Sequence, residues 1–332
     1  MSISKTPQDL VTGGAGFIGS HLVEHLLQGG HEVWVVDDLS TGRESNLDQA
    51  RHMAPDRLHF VHSDLSDWLD GAGAKRTFNS VYHLAAAVGV KLVVEDPIGT
   101  IETNIHQTSA VMRFVQNSAT PLLMASTSEV YGKGVRDRFA ETDDLLLGPT
   151  TRSRWSYACS KAIDEYLALA HYQQSGTPIS IARFFNTVGP RQVSDYGMVL
   201  PRFVECALSN QPIQVFGDGT QSRCFCDVRD VVEVLPRMLD RDKCAGRVMN
   251  VGNDTPITIN DLAATVCDVL NSSSEIVHVP YEQAYSPGFE DLKCRVPDLG
   301  LIRSTLQFES TIPLERTIQD LALEYSRAGG AT

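Results

Sequence analysis

The run Val11-Thr12-Gly13-Gly14-Ala15-Gly16-Phe17-Ile18-Gly19 constrains the fold more than any other segment. Apolar Leu10 and Val11 lead into it and read as the end of a strand. Phe17, Ile18, Leu22, Val23, Leu26 and Leu27 follow at helical spacing. A strand, a glycine turn and a helix in that order open a dinucleotide-binding sheet. Gly13 permits the tight turn, Gly16 lets backbone approach a pyrophosphate, and Gly19 lets the helix pack against the sheet. The helix start, at Phe17 and Ile18, then offers free N–H groups and a positive dipole end to the phosphates.

The next strand, Glu32 to Asp37, ends in acid, with Asp38 beside it. Asp37 stands where a carboxylate binds adenosine ribose hydroxyls. A carboxylate there repels a 2′-phosphate, so the reading is NAD rather than NADP. Arg43 works slightly against that preference. Thr6-Pro7-Gln8-Asp9 predicts a short or irregular entry to the first strand.

Strands and helices alternate from there. Leu58–Val61 reads as a strand leading to Asp64 and Leu65, at the adenine end of the cofactor. Ser80–Leu84 leads into Ala85-Ala86-Ala87, small residues beside which a dinucleotide lies close. Pro97–Gln116 and Ser156–Gln174 read as long helices. Pro121–Ala125 is a strand ending at Ser126-Thr127-Ser128-Glu129, and Ile179–Phe184 is another. The fold class is α/β: a Rossmann-type doubly wound parallel sheet with right-handed crossovers. Ligands bind at the carboxyl ends of such strands, where Gly13, Asp37, Asp64, Ala85, Thr127 and Asn186 converge. Residues 1–185 read as the NAD-binding domain. Residues 186–332 read mainly as a smaller substrate-binding domain, with some segments returning to the sheet. Turns punctuate that half at Val188–Arg191, Phe216–Gly219, Gly252–Asp254 and Ser286–Gly288, and Arg247–Gly252 reads as a strand.

Composition bounds the partners. With 332 residues, 42% apolar and 21% charged, the chain suits a soluble enzyme of one or two domains. A net charge of −13 argues against nucleic acid or an anionic membrane surface. No apolar run approaches the roughly 20 residues that span a bilayer, and no signal peptide is evident. The seven cysteines are scattered, and Cys224–Cys226 lacks the second half of a zinc site. Reduced thiols, a cytoplasmic location and no metal are the expectation.

Tyr157 and Lys161 stand at i and i+4, on one helix face. An ammonium near a phenol favours the phenolate. That phenolate accepts a proton from a sugar hydroxyl as hydride leaves the same carbon for NAD, and Thr127 aligns the hydroxyl.

From Val11 to about Leu323 the chain resembles the extended short-chain dehydrogenase/reductases, the nucleotide-sugar epimerases, dehydratases and decarboxylases. The resemblance rests on Thr12–Gly19, His83-Leu84-Ala85-Ala86, Tyr157-x-x-x-Lys161, Arg183–Asn186, Gly189-Pro190-Arg191 and Phe216–Arg223. It implies a 4-keto sugar intermediate and, in many relatives, a homodimer formed through the two long helices. It also implies that Asn186, Leu200, Phe216, Arg223 and Arg295 line the nucleotide-diphosphate site. Paired arginines suit a pyrophosphate because each presents a fork of donors.

Three reactions follow a C4 ketone: 4-epimerisation, 4,6-dehydration, or loss of CO2 from a C6 carboxylate. A dehydratase carries an acid where this chain has Ser128, and simple epimerases need no Glu129. Ser126–Gly132, Arg154–Tyr157, Arg223–Asp230 and Tyr285–Asp291 leading to Arg295 resemble UDP-glucuronate decarboxylases. In that comparison Glu129 and Arg295 serve decarboxylation, Arg295 holding a carboxylate or phosphate and Glu129 placing water or reprotonating C5. Ala85–Val90 is closer to epimerases. The reading is decarboxylation of UDP-glucuronate to a UDP-pentose, with a UDP-sugar 4-epimerase as alternative and a dehydratase behind it. A non-enzymatic NAD sensor is a further alternative, against which Thr127, Tyr157 and Lys161 all count.

Overall fold

The computed structural model describes residues 6–87, 96–134, 136–194, 198–280 and 294–329. The readings on Val88–Val90 and on Tyr285–Asp291, with its Ser286–Gly288 turn, lie outside the described residues.

Six strands come in chain order: β1 (Gln8–Thr12), β2 (Glu32–Asp37), β3 (Leu58–His62), β4 (Ser80–His83), β5 (Leu122–Thr127) and β6 (Ile179–Phe184). With the later strand Arg247–Val251 they form one sheet, ordered Arg247–Val251, β6, β5, β4, β1, β2, β3. Every neighbouring pair is parallel. Winding reverses between β1 and β4, which opens a crevice at their carboxyl ends. β1 is five residues long, as Pro7 predicts.

Both sheet faces are covered. Leu22, Val23, Leu26 and Leu27 of the helix Phe17–Gln28 pack with Val33 and Val35 on one side. Val111 and Met112 of the helix Pro97–Ser118 pack with Val81, Leu122 and Met124 on the other. Two-sided burial is why these strands read as apolar runs rather than as alternating patterns.

Arg247–Val251 lies in the second half of the chain yet pairs with β6, Met249 opposite Ala182. Leu200, Phe203, Val215, Leu262, Ile318 and Leu321 form a separate apolar cluster.

The helix Trp155–Ser175 carries the Tyr157 and Lys161 positions, and buried polar contacts seat it. Glu165 receives Arg183 of β6 through two bonds, Nε–Oε1 at 2.9 Å and Nη2–Oε2 at 2.6 Å, and also bonds Ser126 of β5. The Arg183 guanidinium lies 4.6 Å from the Tyr131 ring centroid. One carboxylate thus fixes the helix to two adjacent strands, and bidentate geometry adds direction to the charge.

Candidate functional site

A cavity of about 700 Å³ runs from the glycine loop, across the ends of β1, β4 and β5, to the second half of the chain. Gly13 has φ +70°, and a Cβ there would sit 2.7 Å from the Ala85 nitrogen. A Cβ on Gly19 would sit 2.1 Å from the Gly13 oxygen. The next helix begins with no side-chain cap at Gly16 and no acid in its first turn, so its leading N–H groups stay available to an anion. This loop fits a dinucleotide pyrophosphate. Gly19→Ala is therefore expected to cost about 1–3 kcal/mol of stability by overpacking and to weaken NAD binding. Denaturant unfolding and calorimetric titration check both effects.

Gly16, Phe17, Ile18, Asp37, Asp38, Leu65, Leu84, Ala85 and Ala86 all line this end. The Asp37 oxygens accept from the Ala15 N–H at 2.9 Å and the Leu39 N–H at 2.8 Å. Each carboxylate oxygen keeps a second lone pair for a ribose hydroxyl. Asp64 departs from expectation. Ser63 and Leu65 line the cavity and Asp64 does not. Its carboxylate caps the helix Leu65–Asp70, accepting from the Ser66 and Asp67 N–H groups. Arg43 is also outside the lining.

Thr127 ends β5, and the chain turns tightly through Ser128–Tyr131. Thr127, Ser128, Glu129, Tyr157 and Lys161 all face the cavity. Lys161 departs from its expected role. Its ammonium lies 3.0 Å from Asp164, the two side chains 3% and 0% exposed. Tyr157 is held well above the ordinary phenol range, by burial first and then by the negative charges of Glu129 and Asp164, while a hydrogen bond with Thr127 opposes this. Tyr157 and Lys161 both line the cavity, and Asp164 pairs with the Lys161 ammonium.

Glu129 Oε1 lies 2.6 Å from Arg295 Nη1, and Glu129 Oε2 lies 3.7 Å from Arg154 Nη2. Burial pushes the Glu129 carboxyl up, but Arg295 and then Arg154 outweigh it and hold it below the ordinary range. Arg295 is only 7% exposed, and its Nε has no hydrogen-bond partner among the described residues. A buried donor left over in a cavity wall is a place for a ligand oxyanion.

Asn186, Leu200, Phe216 and Arg223 line the far wall. Asn186 donates from Nδ2 to the Cys224 carbonyl at 2.9 Å, and Arg202 lies over the Phe216 ring at 4.4 Å. Arg154, Thr41, Gln107 and Arg202 also line the cavity, and of these only Arg154 stands in a recognisable motif, Arg154–Tyr157. Arg154 had a signal: it lies one turn before Tyr157. Among the described residues there is no metal-ligating cluster, and no helix is long and apolar enough to cross a membrane.

Residues 10–252 match the model of the NAD dependent epimerase/dehydratase family. The chain is 38% identical over 312 residues to a UDP-N-acetyl-alpha-D-glucosaminuronate decarboxylase of Bacillus cytotoxicus, covering 94% of this chain and 95% of that protein. It is 33% identical over 316 residues to UDP-glucuronic acid decarboxylase 6 of Arabidopsis thaliana, covering 92% and 84%. Among solved structures it is similar to the UDP-glucose 4-epimerase of Thermus thermophilus in complex with NAD. That match has a TM-score of 0.80 and 29% identity, and covers 97% of this chain and 99% of that one.

Proposed function

This chain belongs to the NAD-dependent epimerase/dehydratase family, and we propose that it removes CO2 from a UDP-hexuronate, UDP-glucuronate in the first instance. The observation that carries this reading is the Glu129 carboxylate, held by Arg295 and Arg154 in the same cavity as Thr127 and Tyr157. The similarity to two hexuronate decarboxylases over more than nine-tenths of this chain supports it.

Bound NAD would supply the acceptor, and later the donor, for a hydride at the sugar C4. Gly13, Gly16, Phe17, Ile18 and Gly19 would hold its pyrophosphate, Asp37 and Asp38 its ribose, and Leu65 would face the adenine end. Leu84, Ala85 and Ala86 line its path. Thr127 aligns the 4-hydroxyl and Tyr157 takes its proton, with Lys161 and its Asp164 partner in the same helix stripe. A ketone at C4 makes the C6 carboxylate a β-keto acid, which loses CO2. Arg295 binds the carboxylate or the diphosphate, and Glu129 places water or reprotonates C5. Ser128 supplies no acid for dehydration. Asn186, Leu200, Phe216 and Arg223 seat the nucleotide. Residues 1–185 serve as the NAD-binding domain and 186–332 mainly as the nucleotide-sugar domain.

A homodimer through the two long helices completes the reading. Ile98 and Tyr166 on those helices are each 69% exposed, and Ile163 is exposed beside Tyr166. Sedimentation velocity is expected to give the mass of two chains. The scattered cysteines support a cytoplasmic location.

The test is incubation of the protein and NAD with UDP-glucuronate and with UDP-N-acetylglucosaminuronate, read by mass spectrometry and proton NMR. A product lighter by CO2 supports the reading. Unchanged mass with a new axial C4 signal makes the protein a 4-epimerase, for which Thr127, Tyr157 and Lys161 suffice. No turnover of either uronate overturns the proposal.

A further inference from the structure

Tyr157, Lys161 and Asp164 follow one another at i, i+4 and i+7, a single stripe on the helix Trp155–Ser175. That helix packs against Pro97–Ser118. The buried side chains on the latter include Thr100, Asn104, Gln107 and Thr108, all uncharged. Lys161 Nζ meets Asp164 Oδ2 at 3.0 Å, out of solvent. Thr108 faces the same carboxylate, and its hydroxyl lies 3.4 Å from His83 Nε2. His83 Nδ1 meets the Thr12 hydroxyl at 2.8 Å. Burial, and then the Lys161 charge, push His83 down to about 3, so it is neutral. Burial raises the Asp164 carboxyl and Lys161 is the first influence opposing this, so the 3.0 Å contact makes Asp164 the counter-charge to Lys161 on this side of the site.

We propose that Asp164 is a charge-balancing positioning residue: it cancels the charge of Lys161, so that Tyr157 gives up its proton only when a further positive charge enters the site. The oxidised nicotinamide ring is that charge, and the inference rests on the NAD-dependent reading above. The other charges near Tyr157 do not supply it. Glu129, from the turn after β5, is negative and raises the phenol as Asp164 does, with Arg295, Arg154 and Arg223 as its own counter-charges. Glu165 is occupied by Arg183. Glu102 and His106, on the facing helix, are exposed. An uncompensated ammonium at i+4 would favour the phenolate at all times. The pair instead makes ionisation of Tyr157 conditional on the cofactor.

The test is Asp164→Asn, which keeps the shape and removes the charge. Tyrosine-Cζ NMR of the protein, with and without NAD and assigned by Tyr157→Phe, reads the phenol directly. Without NAD, the variant is expected to titrate Tyr157 measurably below wild type, while burial and Glu129 still hold it above the ordinary range. In the pH profile of kcat/KM, the acid limb is expected to move down by about one to three units, with KM little changed. Asp164→Glu is expected to restore the wild-type profile, and Asp164→Ser to reproduce the shift should the Asn variant not fold. A limb and a phenol titration that stay put, with activity falling equally at every pH, would overturn the proposal. Because the NMR titration needs no substrate, it reads Asp164 even if neither uronate is turned over.

Discussion

Tyr157→Phe is expected to lower kcat by about 10²–10⁴-fold while NAD and UDP-sugar binding persist. The change deletes one oxygen. The ring stays on the helix Trp155–Ser175, whose seat is made by Glu165 with Arg183 and Ser126, all distinct from the phenol. Thr127 loses its phenol partner but keeps the hydrogen bond it accepts from the Glu129 N–H at 3.2 Å. The loss therefore falls on proton transfer. Steady-state assays give the rate, and calorimetric titration gives the two affinities. Activity within tenfold of wild type would remove Tyr157 as the base. Lost NAD binding would make it a structural contact instead.

Arg295→Ala is expected to act on both chemistry and stability. Hydrogen bonds to charged groups contribute about 1.5–3 kcal/mol. Losing one to a substrate oxyanion lowers kcat/KM by about 10- to 150-fold. Removing one partner of a buried ion pair costs about 3–5 kcal/mol. The lower end applies here, because the Glu129 side chain is 24% exposed and Arg154 still faces it. The sign of the pH dependence follows from Glu129. Its folded carboxyl lies below the ordinary range, so its stabilising contribution is full above the unfolded value of about 4.3 and is lost as pH falls through the folded value. Wild type and variant should thus differ most near neutrality and converge in acid. Urea unfolding across pH measures this. A difference that stays constant down to strong acid would show that Arg295 acts through packing alone.

The parts of this molecule legible in its sequence are those written locally. The strand–glycine–helix unit, the acid ending β2 and the Tyr157–Lys161 spacing each sit within one or two elements, where periodicity and sterics decide. Other features resisted for separate physical reasons. Asp64 follows a strand, as a ligand-binding acid would, but a carboxylate one residue before a helix is equally an N-cap, and here the Ser66 and Asp67 N–H groups take it. Asp164 was visible three residues beyond Lys161. Spacing alone does not say which neighbour a lysine pairs with, and burial settles it in favour of the carboxylate. Glu129 and Arg295 lie far apart in the chain, and no periodicity connects them. Resemblance suggested the two residues, and the fold supplied the 2.6 Å contact. Arg247–Val251 read as a strand by composition, but only strand pairing reveals that it borders β6.

That last pairing ties the fate of the two halves together. A fragment ending at residue 185 would lack Arg247–Val251 and leave β6 with a bare row of backbone donors and acceptors, an edge open to aggregation. It would also lack Asn250, which accepts from the Tyr131 hydroxyl at 2.7 Å and donates to the carbonyls of Phe139 at 2.8 Å and Asp298 at 3.1 Å. The second half of the chain thus returns a strand that completes the sheet built by the first. The two halves are consequently expected to melt together, in a single transition by calorimetry, because neither keeps its edge and its buried bonds without the other.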